Sequence, residues 1–125
     1  MKTIINSPKA PAPIGPYSQA VLSNNILYVS GQISIDQSTG QVISDSIENE
    51  TRQVMKNLGY ILEEAGASFS NILKCSIFIA DMNQFAQINA IYGEHFPENP
   101  PARETVEVSK LPKGVSVEIS CIAQL

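Results

Sequence analysis

Between Val115 and Ala123 the chain alternates without a break, with Val115, Val117, Ile119, Cys121 and Ala123 on one parity and Ser116, Glu118, Ser120 and Ile122 on the other. A period of two is the pattern of a strand that buries one face. The apolar face needs a core to pack against, and the hydroxyl- and carboxylate-bearing face needs solvent or another subunit. A sheet covered on one side only is the architecture this segment demands.

The covering elements are legible upstream. Ile47, Val54, Leu58, Ile61, Leu62 and Ala65 recur at helical spacing, preceded by Asp45 with Glu48 three residues on and followed by Gly66 as a stop, which predicts an amphipathic helix with a capping arrangement at its start. A second helix is expected from Phe85, Ile88, Tyr92 and Phe96, opened by Asp81 and Gln84 and ended by Pro97. Gly59 and Gly93 fall inside these helices, where each costs about 1 kcal/mol relative to Ala, so close packing against the sheet is expected there. Between the helices, Asn71 to Ala80 reads as a mostly buried strand with Leu73, Cys75, Ile77 and Ile79 on one face.

The N-terminal third has the punctuation of hairpins. Asn24-Asn25 separates two apolar runs and tolerates the positive φ that a two-residue turn requires; Gln37-Ser38-Thr39-Gly40 separates two more. Before them, Pro8, Pro11, Pro13 and Pro16 fix φ and remove N–H groups, so this approach is extended rather than helical. With 125 residues and no linker or repeat, residues 1–125 are read as a single α+β domain: a mixed sheet with two helices on one face. A chain of this size buries roughly two-thirds of its unfolded surface, enough for one core. A cleft between two lobes is excluded.

Composition removes several function classes. Lys+Arg 8 against Asp+Glu 12 gives a net charge of −4, and no basic cluster exists, so nucleic acid is a poor partner. His95 is the single histidine, and Cys75 and Cys121 have no CxxC spacing; a metal site is not expected, and both thiols read as small buried hydrophobes. No apolar run approaches a membrane span and Met1 to Asn6 lack a signal-peptide pattern. The expected location is the cytoplasm.

Candidate chemistry lies on the polar face of the last strands. If Arg103 to Ser109 and Val115 to Ala123 form a regular hairpin with Val106 and Val108 toward the core, then Arg103, Thr105 and Glu107 share the other face with Glu118, and Arg103 lies diagonal to Glu118 at roughly 7–8 Å. One reading is an exposed cross-strand ion pair worth about 0–1 kcal/mol. The other is a site: the planar fork of Arg103 suits a substrate carboxylate, and Glu118 suits a general base or water-orienting group.

Pro101-Ala102-Arg103, Val106, Leu111-Pro112-Lys113-Gly114 and Val117-Glu118-Ile119, together with Gly15-Pro16-Tyr17-Ser18-Gln19-Ala20, Val29-Ser30-Gly31-Gln32, Asn89 and Tyr92-Gly93, closely resemble the motifs of the RidA (YjgF-like) reactive intermediate deaminases over essentially the full length. The resemblance implies a chorismate-mutase-like fold assembled as a homotrimer with pockets between subunits. It implies hydrolysis of 2-iminobutanoate and 2-iminopropanoate to 2-keto acids and ammonia without metal or organic cofactor. Carried over, Arg103 binds the carboxylate and Glu118 positions water, while Tyr17, Ser30, Gly31, Asn89 and Thr105 line the pocket. Two departures stand out: Glu104, where a small or apolar residue is usual, and Thr105, where Cys is frequent. By strand parity Glu104 shares the face of Val106, away from Arg103. A non-catalytic trimeric carboxylate-binding or chaperone-like protein is the alternative; an RNA-cleaving activity conflicts with the charge balance and the lone His95.

Overall fold

A computed structural model describes all residues, 1–125. Eight strands and two helices follow in chain order: β1 (Thr3–Ile5), β2 (Ala20–Ser23), β3 (Ile26–Gln32), β4 (Ile35–Asp36), β5 (Gln41–Val42), α1 (Ile47–Glu64), β6 (Ile72–Ile79), α2 (Phe85–Gly93), β7 (Ala102–Glu107) and β8 (Val117–Gln124). Six strands form one mixed sheet in the order β1-β2-β3-β8-β6-β7, and β4 pairs with β5 in a separate ribbon. All neighbours in the large sheet are antiparallel except β6 and β7. That parallel pair is joined through α2, the kind of crossover parallel neighbours need.

The helices lie on one face, as the alternation of β8 requires. Val54, Leu58 and Ile61 of α1 and Ile88 of α2 join Leu27, Cys75, Ile77, Val117, Ile119 and Cys121 in one buried cluster. Each fully buried Leu or Ile stabilises the fold by about 1.5–3 kcal/mol. Asn24 and Asn25 both adopt positive φ, at 51° and 63°, closing the β2–β3 hairpin as their side chains allow. Gly66 follows α1 with φ +80°. The helix start differs from expectation: Ser46, not Asp45, is the cap, its oxygen accepting from the Asn49 N–H at 3.1 Å. Asp45 instead accepts from the Asn49 side chain at 2.8 Å.

Three buried polar side chains tie irregular segments to this frame. Gln19 donates to the carbonyls of Ser7 at 3.1 Å and Pro11 at 3.0 Å, and its Oε1 accepts from the Ser7 N–H at 2.6 Å. The proline-rich approach is thereby anchored at backbone groups that proline cannot satisfy within the segment itself. Asn57 of α1 donates to the carbonyls of Ile33 at 3.0 Å and Ile35 at 2.9 Å. Glu50 accepts from the Ser116 N–H at 2.5 Å, fixing the entrance to β8.

Several expectations are corrected. β7 and β8 are not a hairpin, because β6 lies between them. The reason is exposure: β7 carries exposed Arg103, Glu104, Val106 and Glu107, which suit an edge, whereas β8 buries every second residue and takes a central place. Leu73 is 47% exposed, because a bulge between Ile72 and Lys74 shifts the register and moves it off the core face. The second N-terminal hairpin leaves the main sheet, and β1 pairs ahead of the prolines where no strand is legible. Gly59 does allow a close approach, but to Phe69, which a β-carbon would meet at 3.3 Å; Gly93 faces open space.

Candidate active site

The register of β7 against β6 decides where Arg103 points. Cys75 lies across from Arg103 and Ile77 across from Thr105, and residues directly opposite in a sheet share a face. Arg103 and Thr105 therefore lie on the helix-covered side. The expected parity of β7 is reversed: Glu104 and Val106, not Arg103, occupy the open face. At the sheet edge Arg103 meets α2. Its Nη1 donates to Asn89 Oδ1 at 2.6 Å, and its Cζ lies 5.6 Å from the Phe85 ring and 5.1 Å from the Tyr92 ring.

Phe85, Asn89 and Tyr92 are spaced four and three along α2, so one helix stripe supplies all three contacts. A hydrogen bond to a charged group contributes about 1.5–3 kcal/mol, and a cation over an exposed ring about 0.5–1 kcal/mol. The guanidinium is thus held in place, yet no carboxylate of the chain pairs with it; the ion pairs are Lys9–Glu63, Arg52–Glu94 and Lys74–Glu104. It borders a hollow of about 500 Å³ together with Asn89, Tyr92, Phe96 and Pro100. The hydroxyl of Tyr92, which lines the hollow, and Thr105 Oγ1 on the same face of β7 as Arg103 are buried without hydrogen-bond partners. Burial pushes the Tyr92 phenol above its ordinary pKa, and the neighbouring Cys75 adds to the rise.

A second hollow, about 350 Å³, lies on the open face and is lined by Ile14, Tyr17, Ser30, Gly31, Ile33, Pro112 and Glu118. A bulge builds it: Val29 pairs with Cys121 and Gln32 with Ile119, so Ser30 and Gly31 together stand opposite Ser120. Bulges bend a strand and re-aim its side chains. Ser30 donates its hydroxyl to the Ser18 carbonyl at 2.6 Å, tying the bulge to the segment that carries Tyr17. The Tyr17 hydroxyl accepts from the Ile14 N–H at 3.4 Å. Glu118 sits half-buried, and burial alone pushes its carboxyl above the usual range.

The expected site residues therefore fall into two groups. Arg103 and Asn89 form one, Tyr17, Ser30, Gly31 and Glu118 the other, and Thr105 borders neither hollow. Two strand spacings and three residues of rise separate Arg103 from Glu118, roughly 14 Å between Cα atoms, and they lie on opposite faces. No pairing between them within the chain is possible. Glu104 does point away from Arg103, but into the open face, where it pairs with Lys74 at 3.0 Å and accepts from Ser76. The Ser76 hydrogen bond first, and then Lys74, hold its carboxyl below the usual range. In the sequence Phe85 belongs to a core stripe and Tyr92 to that stripe and to the Tyr92-Gly93 motif; their spacing around Asn89 is the available signal of a cation seat. Pro112 stands in the Leu111-Pro112-Lys113-Gly114 motif with no site role expected of it, and Ile14 and Ile33 carry no signal. A larger hollow of about 610 Å³ beside β5 and α1 includes Asp45, Arg52 and Lys56. These charges are exposed, and water screens them.

The same fold recurs in known proteins. The family model described as Endoribonuclease L-PSP matches residues 7–125. The chain is 45% identical over 123 residues to the human 2-iminobutanoate/2-iminopropanoate deaminase, covering 98% of this chain and 90% of that protein. It is 49% identical over 123 residues to a RutC family protein of Pyrococcus horikoshii, covering 98% of each. Among solved structures, a member of the conserved Rid protein family from Yersinia pestis superposes with a TM-score of 0.97 at 48% identity over 100% of both chains. Escherichia coli TdcF with bound serine gives 0.92 at 38% identity over 98% of both. A family model matching nearly the whole chain, relatives near half identity and a shared fold place this chain in the RidA/YjgF family.

Proposed function

We propose that this protein is a hydrolytic deaminase of small 2-imino acids, working as a homotrimer whose pockets each take the Arg103 hollow from one subunit and the Glu118 hollow from its neighbour. The observation that carries this reading is the division of the site. An oriented guanidinium without an anion and a half-buried carboxylate without a partner lie on opposite faces of one small domain, and a second copy is the direct way to bring such halves together. The exposed apolar residues on the sheet and its margins, Tyr28, Leu73 and Val106, offer a surface for that contact. The related TdcF structure carries serine, a carboxylate of the size the clamp suits, and the human relative bears the name of the imine deaminase.

In this mechanism the substrate carboxylate pairs with the fork of Arg103, which fixes the imine carbon in place. Glu118 accepts a proton from water as the water oxygen attacks that carbon. Glu118 returns that proton to the amino nitrogen of the carbinolamine and takes the proton of the new hydroxyl as the carbon–oxygen double bond forms and the carbon–nitrogen bond breaks; 2-keto acid and ammonia leave, and the ammonia carries off the proton that the iminium brought. Burial raises the carboxyl of Glu118 above its ordinary value, which makes the carboxylate a better proton acceptor. The protonated imine is electrophilic enough that no covalent nucleophile, metal or organic cofactor is invoked. A trimer that only binds small carboxylates is the competing reading, and the lone base weighs against it.

The test uses an imine generated in situ and measures keto-acid release. Wild-type protein is expected to speed release, and Arg103→Ala to abolish the effect. Glu118→Ala should retain 2-ketobutyrate binding while losing about 100-fold or more in rate. Unchanged turnover in the Arg103 variant rejects the assignment.

A further inference from the structure

We propose that Gly31 is a positioning residue for Glu118: the missing β-carbon in the β3 bulge leaves the space in which the Glu118 carboxylate lies. The inference rests on the role of Glu118 given above and adds what fixes its geometry.

Glycine at this position is not explained by backbone conformation. The glycines with left-handed φ are Gly40, Gly66 and Gly114, and Gly31 is not among them. Space is the explanation. A β-carbon built on Gly31 would stand 2.8 Å from Glu118 Cδ and 3.0 Å from its Cγ, and closer still to Oε2. Carbon atoms in contact settle at about 3.5–4.0 Å, so even alanine requires the carboxylate to leave.

What gives way is also determined. Gly31 sits in the bulge tied down by the Ser30 N–H to the Gln19 carbonyl at 2.9 Å and by the Ser30 hydroxyl to Ser18. The Glu118 carboxylate, by contrast, has no ion pair, and burial is the only influence on its proton affinity. The free end of a flexible side chain moves before an anchored backbone does. Alanine at 31 therefore displaces the base and spares the fold. Hydrogen bonds do not aim this carboxylate; the shape of the strand beneath it does.

The experiment compares wild type, Gly31→Ala, Glu118→Asp, the double variant and Glu118→Ala, all as full-length protein in its native assembly, with kcat and KM measured separately. Aspartate is one methylene shorter, so less of the side chain stands against the new β-carbon, and alanine at 118 removes every atom that meets it. Gly31→Ala is expected to lower kcat about 100-fold with KM within about threefold. The double variant should lose no more than the worse single one, a departure from multiplicativity of at least about tenfold. Should Gly31→Ala melt early, Glu118→Ala in the same chain must restore the melting temperature.

A Gly31→Ala enzyme with kcat within about twofold of wild type, a rise in KM alone, or strictly multiplicative losses in the double variant each overturn the proposal. If those results accompany an inactive Glu118→Ala, the positioning role alone falls. If Glu118→Ala itself turns over normally, the role of Glu118 falls and the positioning role with it.

Discussion

The two halves of the candidate site are built on opposite principles. Arg103 is gripped: one helix stripe supplies Asn89, Phe85 and Tyr92 around its guanidinium. Glu118 is merely accommodated, by the absence of a side chain at Gly31. The difference follows from what each group would do. A cation that orients a substrate carboxylate has to be rigid before binding, since freezing a long side chain during binding costs affinity. A base that accepts and returns a proton is best left without donors, because hydrogen bonds to its charged form would lower its basicity. One half is organised by contacts and the other by desolvation.

The largest effect tests whether the halves act across subunits. Arg103→Ala and Glu118→Ala are each expected to be nearly inactive, but co-refolded at equal amounts they should recover about one quarter of wild-type activity, the share of interfaces that combine both intact halves. Recovery is read from keto-acid release after mixing. Activity no higher than the sum of the two parents breaks the comparison at its root, because both halves would then serve one chain. A smaller effect sharpens the gripped half. Asn89→Ala removes the hydrogen bond that pins Arg103 and should raise KM about tenfold or more, with a smaller change in kcat. Tyr92→Phe, which deletes an unpartnered hydroxyl and keeps the ring, should leave KM within about twofold.

How far the sequence discloses this arrangement depends on the range of the interaction. Local patterns were sufficient for the Asn24-Asn25 turn, for α1 and for the one-sided burial of β8, since each is set by neighbours along the chain. Strand order was not legible, because it depends on which strand can tolerate an edge, a property of the whole sheet. The same edge position decides the site. Val106 and Val108 read as core residues by type, but on an edge strand Val106 is exposed, and a change of parity by one residue reverses every side chain. Residue type and motif single out Arg103 and Glu118, but on one face, whereas the structure sets them on two. The buried anchors Gln19, Glu50 and Asn57 escaped notice for a related reason: each satisfies backbone groups distant in sequence, and a polar residue in a periodic pattern reads as solvated until its partner is known.

The smallest effect isolates the accommodated half as a matter of stability rather than rate. Burial raises the Glu118 carboxyl in the folded protein above its value in the unfolded chain. A raised folded pKa means that the folded state favours the protonated group. Below the unfolded value, about 4.3 for Glu, the side chain is neutral in both states and carries no charge penalty. As pH rises through the folded pKa the carboxylate ionises in a site that disfavours it, and stability is lost. Glu118→Gln should therefore melt at a higher temperature than wild type at pH 7, and the gap should narrow as the pH is lowered toward 4. Thermal melts across that range provide the measurement. A gap that is absent at pH 7, or that widens on acidification, would mean that the carboxylate is stabilised by a partner after all. The contrast with Arg103 would then be one of degree, because both charged groups would be held by contacts.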